Sequence, residues 1–182
     1  MFCICSLSRD KVAMNFNNAN HLMSLLRKKA FYWLTYGIAV FVLDQLSKWW
    51  AFTALQSRVL SLSSFLNFRL AFNRGAAFSF LSNAGGWQVV FFSVFALTVV
   101  IGLLVWLWRT PATDKVQALS LSLIIGGALG NVVDRVRFGF VIDFIDFHLG
   151  SWHYPTFNVA DMGICIGAFL LAARFLFQKN ES

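Results

Sequence analysis

Four long apolar stretches, separated by polar segments, dominate the pattern of this 182-residue chain. The hydrocarbon core of a bilayer is about 30 Å thick, so a helix needs about 20 mainly apolar residues to cross it. Each stretch reaches that length, and the aromatic residues at its ends suit the membrane interface. The pattern therefore predicts an α-helical integral membrane protein with four transmembrane helices, at about residues 30–52, 87–108, 116–136 and 157–177.

A shorter pattern, with a period of two, lies between the first two apolar stretches. From Leu66 to Asn73 apolar and polar residues alternate, which is typical of a half-buried strand, and Val59–Leu62 is its candidate partner. We predict a small extracytoplasmic β-sheet platform on the membrane surface, which brings Asn73 to the mouth of the helix bundle. Gly75, followed by two alanines, either lets the backbone approach another group closely or forms a plain turn.

The domain organisation follows from these elements and from the charges around them. Residues 1–29 are predicted to be a disordered cytoplasmic extension, residues 30–178 one four-helix membrane domain, and residues 179–182 a cytoplasmic tail. Basic residues precede the first stretch, separate the second from the third and follow the fourth. By the positive-inside rule both termini are cytoplasmic and the two longer loops, which also carry arginines, lie outside.

The composition supports this class and excludes others. Hydrophobic residues make up 58% of the chain and charged residues 13%, which is far too apolar for a soluble domain. The net charge of +7 fits contact with anionic lipid headgroups. No basic run with interleaved aromatic residues indicates nucleic-acid binding.

Cysteine and histidine indicate no metal site or disulfide. Cys3 and Cys5 lie in the predicted cytoplasmic extension and Cys165 lies within a predicted span, so no disulfide or metal set is indicated. His148 and His153 lie in the second outer loop, where we expect exposed or interfacial side chains and not metal ligands.

Acidic and amide side chains lie within or at the ends of the apolar stretches. A charge at the centre of a bilayer costs about 2.5–3.5 kcal/mol, so a chain that keeps several such residues is expected to use them in its function. Small residues at four-residue spacing in the third and fourth stretches favour close packing of those helices. This packing is expected to bring the polar residues of these two helices into one volume. The acidic and amide residues at membrane depth are Asp44 in the first stretch, Asn131 and Asp134 at the end of the third, and Asp161 at the start of the fourth.

The carboxylates favour a hydrolytic site. An acidic residue after the third helix and another at the start of the fourth can converge at the outer interface. Two carboxylates in a partly dry site do not both ionise easily, so one is a base toward water while the other keeps its proton. Two alternatives stay open on these residues alone. Acidic residues in spans also serve as proton relays in transporters or channels, and Asp–Arg pairs can simply lock a bundle together.

Two local pairings also leave alternatives open. Asp44 and Lys48 are four residues apart on the first helix, so they either form a structural ion pair or help to position the site. Asp134 and Arg135 either form a salt bridge, or Arg135 contacts a catalytic carboxylate or a substrate carbonyl. A structural role is favoured for Asp134 because of its charged neighbour.

Four blocks of the sequence resemble the signature blocks of the lipoprotein signal peptidases, also called signal peptidase II, and occur in the same order. The resemblance covers about residues 31–177. The blocks are Asp44-Gln45-x-x-Lys48, Asn73-x-Gly75-Ala76-Ala77-Phe78, Gly126-Gly127-Ala128-Leu129-Gly130-Asn131-x-x-Asp134-Arg135-x-x-x-Gly139-x-Val141-x-Asp143-Phe144, and Pro155-x-Phe157-Asn158-x-Ala160-Asp161.

The resemblance implies a multi-pass aspartic endopeptidase of the bacterial inner membrane with its active site near the outer face. Such an enzyme removes the signal peptide from prolipoproteins by cutting before a diacylglyceryl-modified cysteine, without metal or cofactor, and is sensitive to globomycin-type inhibitors. The expected partners are these prolipoproteins and membrane lipids. We expect a monomer that binds no nucleic acid.

By motif position, the resemblance makes Asp143 and Asp161 the catalytic pair. Asn158 lies one turn before Asp161 and is expected to orient it, and Asn73 is expected to hold the substrate backbone or the tetrahedral oxygen. The residues expected to bind substrate or support the site are Asp44, Lys48, Asn73, Gly75, Asn131, Arg135 and Asn158.

Overall fold

The computed structural model describes residues 32–75, 86–111 and 113–178. The predicted N-terminal extension, the C-terminal tail and residues 76–78 of the second sequence block lie outside the described residues. In chain order, the described elements are α1 (residues 32–54), β1 (Leu60–Ser63), β2 (Leu66–Asn73), α2 (Trp87–Arg109), α3 (Lys115–Phe138), β3 (Val141–Leu149), β4 (Trp152–His153) and α4 (Val159–Gln178).

Three helices in the described part of the chain are long and apolar enough to cross a membrane. They are α2, α3 and residues Val159–Phe177 of α4, so the helices predicted at the second, third and fourth apolar stretches are confirmed. The first stretch also forms a helix, α1, but this helix is not one of the three. Its polar residues Asp44 and Lys48 are 0% and 2% exposed, whereas Leu43 and Leu46 are each 59% exposed. Helix α1 therefore turns its charges inward and its leucines outward.

Helix α3 lies at the centre of the bundle. Within its most apolar segment 61% of the residues are buried, against 11% for α2 and 17% for α4. A methyl group at Gly126 would overlap the backbone carbonyl of Gly37 in α1, and one at Gly127 would overlap that of Ala160 in α4. Glycine therefore lets α3 contact both neighbours closely, which confirms the packing predicted from the small residues.

The four strands form one antiparallel sheet in the order β1-β2-β3-β4. Strand β2 has the predicted bounds, and β1 begins one residue after the predicted partner strand. An extra residue in β2 between Phe68 and Ala71 forms a β-bulge against β3, which interrupts the simple alternation. The period-two pattern does not predict β3. Its first six residues are buried or half-buried, and a strand covered on both faces loses the alternation of apolar and polar residues.

The sheet is attached at the end of the bundle where α1 and α3 end and α4 begins. Phe68 of β2 and Phe144 of β3 pack with Ala51 and Leu55 at the C-terminal end of α1. Gly139 ends α3 in the left-handed conformation, with φ of 75°, and the chain enters β3 two residues later. The sheet thereby brings residues of β2 and β3 to the end of α3 and the start of α4.

Candidate active site

Strand β3 carries two acidic residues, Asp143 and Asp146, on opposite faces. They are three positions apart, and successive side chains of a strand point to alternate faces. The side chain of Asp143 is 3% exposed and faces the start of α4, where its Oδ1 accepts a hydrogen bond of 2.6 Å from Nδ2 of Asn158. Asp143, and not Asp146, therefore belongs to the candidate site between the helices.

Asn158 and Asp161 begin helix α4 as a reciprocal cap. The backbone N–H of Asp161 donates to Oδ1 of Asn158 at 2.9 Å, and the backbone N–H of Asn158 donates to Oδ2 of Asp161 at 3.2 Å. An acidic or amide pair at this spacing satisfies two backbone donors of the first helical turn. Because the amide oxygen of Asn158 is used in the cap, its NH₂ group is oriented toward Asp143.

Asn131 of α3 completes the connection between the two carboxylates. Its Nδ2 donates to Oδ1 of Asp161 at 2.8 Å, and its Oδ1 accepts from Nδ2 of Asn158 at 3.2 Å. A chain of hydrogen bonds therefore runs from Asp143 through Asn158 and Asn131 to Asp161. The predicted convergence of one carboxylate after α3 with one at the start of α4 is confirmed in the structure.

The surroundings of Asp143 favour its protonated form. Burial, and after it the negative charge of Asp161, raise the pKa of Asp143 from 3.8 to about 7. Hydrogen bonds from Asn158 and Asn73 and the charge of Lys48 act in the opposite direction but are weaker. A carboxyl group with this pKa carries its proton for much of the time near neutral pH, as an acid catalyst requires.

A buried ion cluster lies behind this pair. The ammonium group of Lys48 is 2.9 Å from Oδ2 of Asp44 and 2.9 Å from Oδ2 of Asp134, and all three side chains are at most 2% exposed. Lys48 also donates to Oδ1 of Asn131 at 2.9 Å. The Asp44–Lys48 pair predicted from helical spacing is confirmed, and it also supports Asn131, whose NH₂ group binds Asp161.

The same cluster joins four elements of the fold. Oδ1 of Asp44 accepts the backbone N–H of Ala160 in α4 at 2.8 Å, and Oδ2 of Asp134 accepts that of Ile142 in β3 at 3.1 Å. The side chain of Gln45 donates to both carboxylates, at 3.2 Å and 3.1 Å. Gln45 stands in the first sequence block, but no spacing argument assigned it a partner 89 residues away.

Arg135 contacts backbone oxygens, while its neighbour Asp134 pairs with Lys48. Nη2 of Arg135 donates to the carbonyl of Gly75 at 3.0 Å, and Nη1 of Arg135 donates to the carbonyl of Asn131 at 3.3 Å. Gly75 in turn donates its N–H to Oδ1 of Asn73 at 3.0 Å. The hydrogen bond between Gly75 and Asn73 is that of a turn, and the contact with Arg135 holds the end of β2 beside the two carboxylates.

One cavity, of about 580 Å³, lies at the candidate pair. Its polar wall contains both carboxylates of the candidate pair. Its apolar wall comes from α2, α3 and α4, and residues 154–157 also line the cavity. The polar wall consists of Asn73, Asn131, Arg135, Asp143 and Asp161, and the apolar wall includes Phe92, Phe95, Ala96, Ala128, Met162, Ile164 and Cys165.

Residues 36–177 match the protein family described as "Signal peptidase (SPase) II". The chain belongs to the signal peptidase II family. Three relatives, each named lipoprotein signal peptidase, illustrate the similarity. The one from Coxiella burnetii (strain RSA 331 / Henzerling II) is 52% identical over 156 residues, 85% of this chain and 95% of the relative. The one from Hydrogenovibrio crunogenus is 49% identical over 140 residues, 76% of this chain and 80% of the relative. The one from Serratia proteamaculans is 49% identical over 154 residues, 82% of this chain and 90% of the relative.

Solved structures share the fold of this signal peptidase II family member. One, described as a bacterial membrane enzyme structure obtained by the in meso method at 2.3 Å resolution, matches with a TM-score of 0.76 and 28% identity over 83% of this chain and 91% of that chain. Another, described in the same way at 1.9 Å resolution, matches with a TM-score of 0.69 and 30% identity over 80% of this chain and 92% of that chain. The chain is therefore a helical membrane protein with a small antiparallel sheet, and by its family a protease.

A second acidic group of this family member lies on the other face of the sheet. Asp146 is fully buried, and its carboxylate is 3.0 Å from Nε of Arg69 and 2.9 Å from Nδ1 of His153. His153, predicted to be exposed or interfacial, is 44% exposed and forms this contact. The sequence predicted no role for Asp146. Its spacing of three from Asp143 places the two on opposite faces of a strand, but does not show which of them faces the cavity.

No group of three or more histidine, cysteine, aspartate or glutamate side chains arranged to hold a metal ion occurs in residues 32–75, 86–111 and 113–178.

Proposed function

We propose that this chain is an aspartic endopeptidase that removes the signal peptide from diacylglyceryl-modified prolipoproteins, cutting immediately before the lipid-bearing cysteine. The observation that carries the proposal is the hydrogen-bonded connection of Asp143 and Asp161 through two asparagine amides at the wall of one cavity. Membership of the signal peptidase II family and relatives named lipoprotein signal peptidase support the substrate class.

Asp161 is the proposed general base. Its two carboxylate oxygens accept hydrogen bonds from the side chain of Asn131 and from the backbone N–H of Asn158, which fix its position. As the proposed base it takes a proton from a water molecule, which attacks the carbonyl carbon of the scissile peptide bond. Carbonyl addition by water requires no serine or cysteine nucleophile.

Asp143 is the proposed general acid. With a pKa of about 7, it holds a proton that it first shares with the carbonyl oxygen of the substrate and then delivers to the leaving amine. Burial raises this pKa most, and the charge of Asp161 raises it further. The charge of the proposed base therefore helps the proposed acid to keep its proton.

The cavity fits the two chemical halves of the proposed substrate. Its polar wall includes Asn73 and Arg135, which we assign to the substrate backbone and to the developing oxyanion. Its apolar wall, with Phe92 and Phe95 of α2 and Met162 of α4, is suited to the acyl chains of the diacylglyceryl group. A peptide that carries no lipid leaves this apolar surface unfilled, so the lipid is expected to contribute to recognition.

We further propose that α1 is a fourth transmembrane helix of the bacterial inner membrane. The outward leucines, together with Ile38 at 58% exposed, form a lipid-facing surface, while the charges of α1 are compensated inside the bundle. Basic residues around the helices support cytoplasmic termini and a sheet and active site at the outer face. Residues 30–178 then form one membrane domain that functions as a monomer among membrane lipids, with residues 1–29 and 179–182 as cytoplasmic extensions, and globomycin-type inhibitors are expected to occupy the cavity.

A gel-shift cleavage assay tests the proposal. Purified wild type, Asp143→Asn and Asp161→Asn are incubated with a diacylglyceryl-modified prolipoprotein and, separately, with the unmodified precursor. Asp114→Asn is the matched control, because Asp114 caps α3 at Gln117 and pairs with Arg174, and asparagine also caps helices well.

We expect wild type and Asp114→Asn to cleave the modified precursor alone, and both dyad variants to be folded but inactive. Failure of a folded wild type to cleave would refute the peptidase assignment. Cleavage that persists in either dyad variant would refute the assignment of Asp143 and Asp161.

A further inference from the structure

The buried carboxylate of Asp146 is not used in the proposed chemistry, yet it contacts side chains of two neighbouring strands. Oδ2 of Asp146 pairs with Arg69 of β2, and both carboxylate oxygens lie close to Nδ1 of His153 in β4, at 2.9 Å and 3.1 Å. Asn67 lies opposite Asp146 in the β2–β3 register. Asp146 therefore joins three neighbouring strands through side chains, in addition to their backbone hydrogen bonds.

Asp146 is ionised when it makes these contacts. Burial alone would raise the pKa of Asp146, but the hydrogen bonds from His153 and Arg69, together with the charge of Arg69, lower it overall. A buried carboxylate held in this way contributes to structure mainly through its partners, because replacing it leaves those partners without an acceptor. His148 stacks on His153 with ring centroids 5.1 Å apart.

The position of the cluster along the chain connects it to the cavity. After His153, residues 154–157 run back along β3: the N–H of Tyr154 donates to the carbonyl of Phe147 at 2.8 Å, and Phe157 exchanges backbone hydrogen bonds with Ile145 at 3.0 Å and 2.8 Å. These four residues line the cavity. The next residue of the chain is Asn158, which caps α4 and binds Asp143.

Backbone hydrogen bonds attach the segment 154–157 to β3 near both of its ends. Pro155 lacks a backbone N–H, and residues 154–156 belong to no strand. One end of the segment is fixed at Phe157 by its bridge to Ile145. The other end follows His153, whose side chain is held by Asp146.

We propose that Asp146, together with Arg69 and His153, positions residues 154–157 as the wall against which the substrate peptide binds. This inference depends on the proposed function. Asp146 acts through the segment and does not exchange a proton with the substrate. Its loss is therefore expected to weaken substrate binding and to leave the chemical step nearly unchanged.

Steady-state cleavage of a diacylglyceryl-modified lipopeptide at pH 7 separates binding from chemistry. Asp146→Asn keeps the shape of the side chain and removes its charge, and we expect KM to rise about tenfold, since hydrogen bonds to charged groups are the stronger class. The expected change in kcat is less than about twofold. His153→Gln keeps a donor without charge, so a smaller rise in KM, about threefold, is expected.

Asp114→Asn serves as the control for loss of a paired carboxylate elsewhere in the fold, and its KM is expected to match that of wild type. Hydrogen exchange of the Tyr154 and Phe157 amides is followed in wild type and Asp146→Asn by mass spectrometry. Faster exchange in the variant is expected, and this readout does not depend on catalysis.

An unchanged KM in folded Asp146→Asn, or a loss confined to kcat, would overturn the inference. If Asp146→Asn does not fold, His153→Gln decides: a raised KM supports the inference and an unchanged KM overturns it. A wild type that cleaves nothing refutes the proposed function instead, and unchanged amide exchange in the variant would then overturn the positioning role as well.

Discussion

The proton on Asp143 gives the sharpest test of the proposed chemistry. If Asp143 is the general acid, activity requires its protonated form, and raising the pH removes that form. With a pKa of about 7, about 90% of the molecules carry the proton at pH 6 and about 10% at pH 8. We therefore expect kcat/KM to fall about tenfold between these two values, with a limiting slope of one decade per pH unit above them.

The stability of the protein is expected to change with pH in the same direction. The folded state holds the Asp143 proton up to about pH 7, whereas an unfolded chain releases it near the ordinary value of 3.8. Folding then becomes less favourable as the pH rises from about 4 to 7, by at most about 4 kcal/mol. Asp143→Asn removes this penalty, so at pH 8 the variant is expected to be inactive and to have a Tm at least equal to that of wild type.

The assay measures kcat/KM for the diacylglyceryl-modified lipopeptide in detergent from pH 5.5 to 8.5 at constant ionic strength. Circular dichroism at each pH shows whether the fold is retained. Asn73→Ala provides a directional control, because the hydrogen bond from Asn73 lowers the pKa of Asp143 and its removal is expected to move the descending limb to higher pH.

A constant or rising kcat/KM between pH 6 and pH 8, with the fold intact, would refute the role of Asp143 as the acid. A descending limb that moves to lower pH in Asn73→Ala would refute the stated effect of that hydrogen bond.

Two further predictions concern the buried cluster behind the site, and both are checked by thermal unfolding in detergent together with the cleavage assay. Lys48→Met leaves two buried carboxylates without their shared cation, so we expect a loss of about 3–5 kcal/mol and a Tm lower by roughly 6–20 °C. The exposed Lys115→Met is its control, and equal Tm values for the two variants would contradict this account. Gly130→Ala places a methyl group 2.5 Å from Oδ2 of Asp44, so reduced activity and a loss of about 1–3 kcal/mol are expected. Gly102→Ala, where nothing lies within 4 Å, should be neutral, and an equally neutral Gly130→Ala would show that the carboxylate can move without cost.

Much of this fold is encoded locally and can be predicted from the sequence. The apolar stretches place the helices because a bilayer fixes both their length and their composition. The alternation from Leu66 to Asn73 predicts β2 at its observed bounds, and a spacing of four on a helix predicts the Asp44–Lys48 pair. The sequence blocks also point to Asp143 and Asp161, whose convergence the structure bears out geometrically.

Other pairings depend on strand register and on the packing of helices, and a local sequence pattern specifies neither. Adjacent residues on a helix point about 100° apart, so Asp134 pairs with Lys48 of α1, 86 positions earlier in the chain, and not with Arg135. The sequence by itself therefore determined which segments form helices, where one strand lies and which acidic residues are candidates for the site. The tertiary structure alone decided that Asp143 faces the cavity and Asp146 faces away from it, because the face that a strand residue occupies is set by the pairing of β3 with β2 and by the packing of the sheet on the bundle.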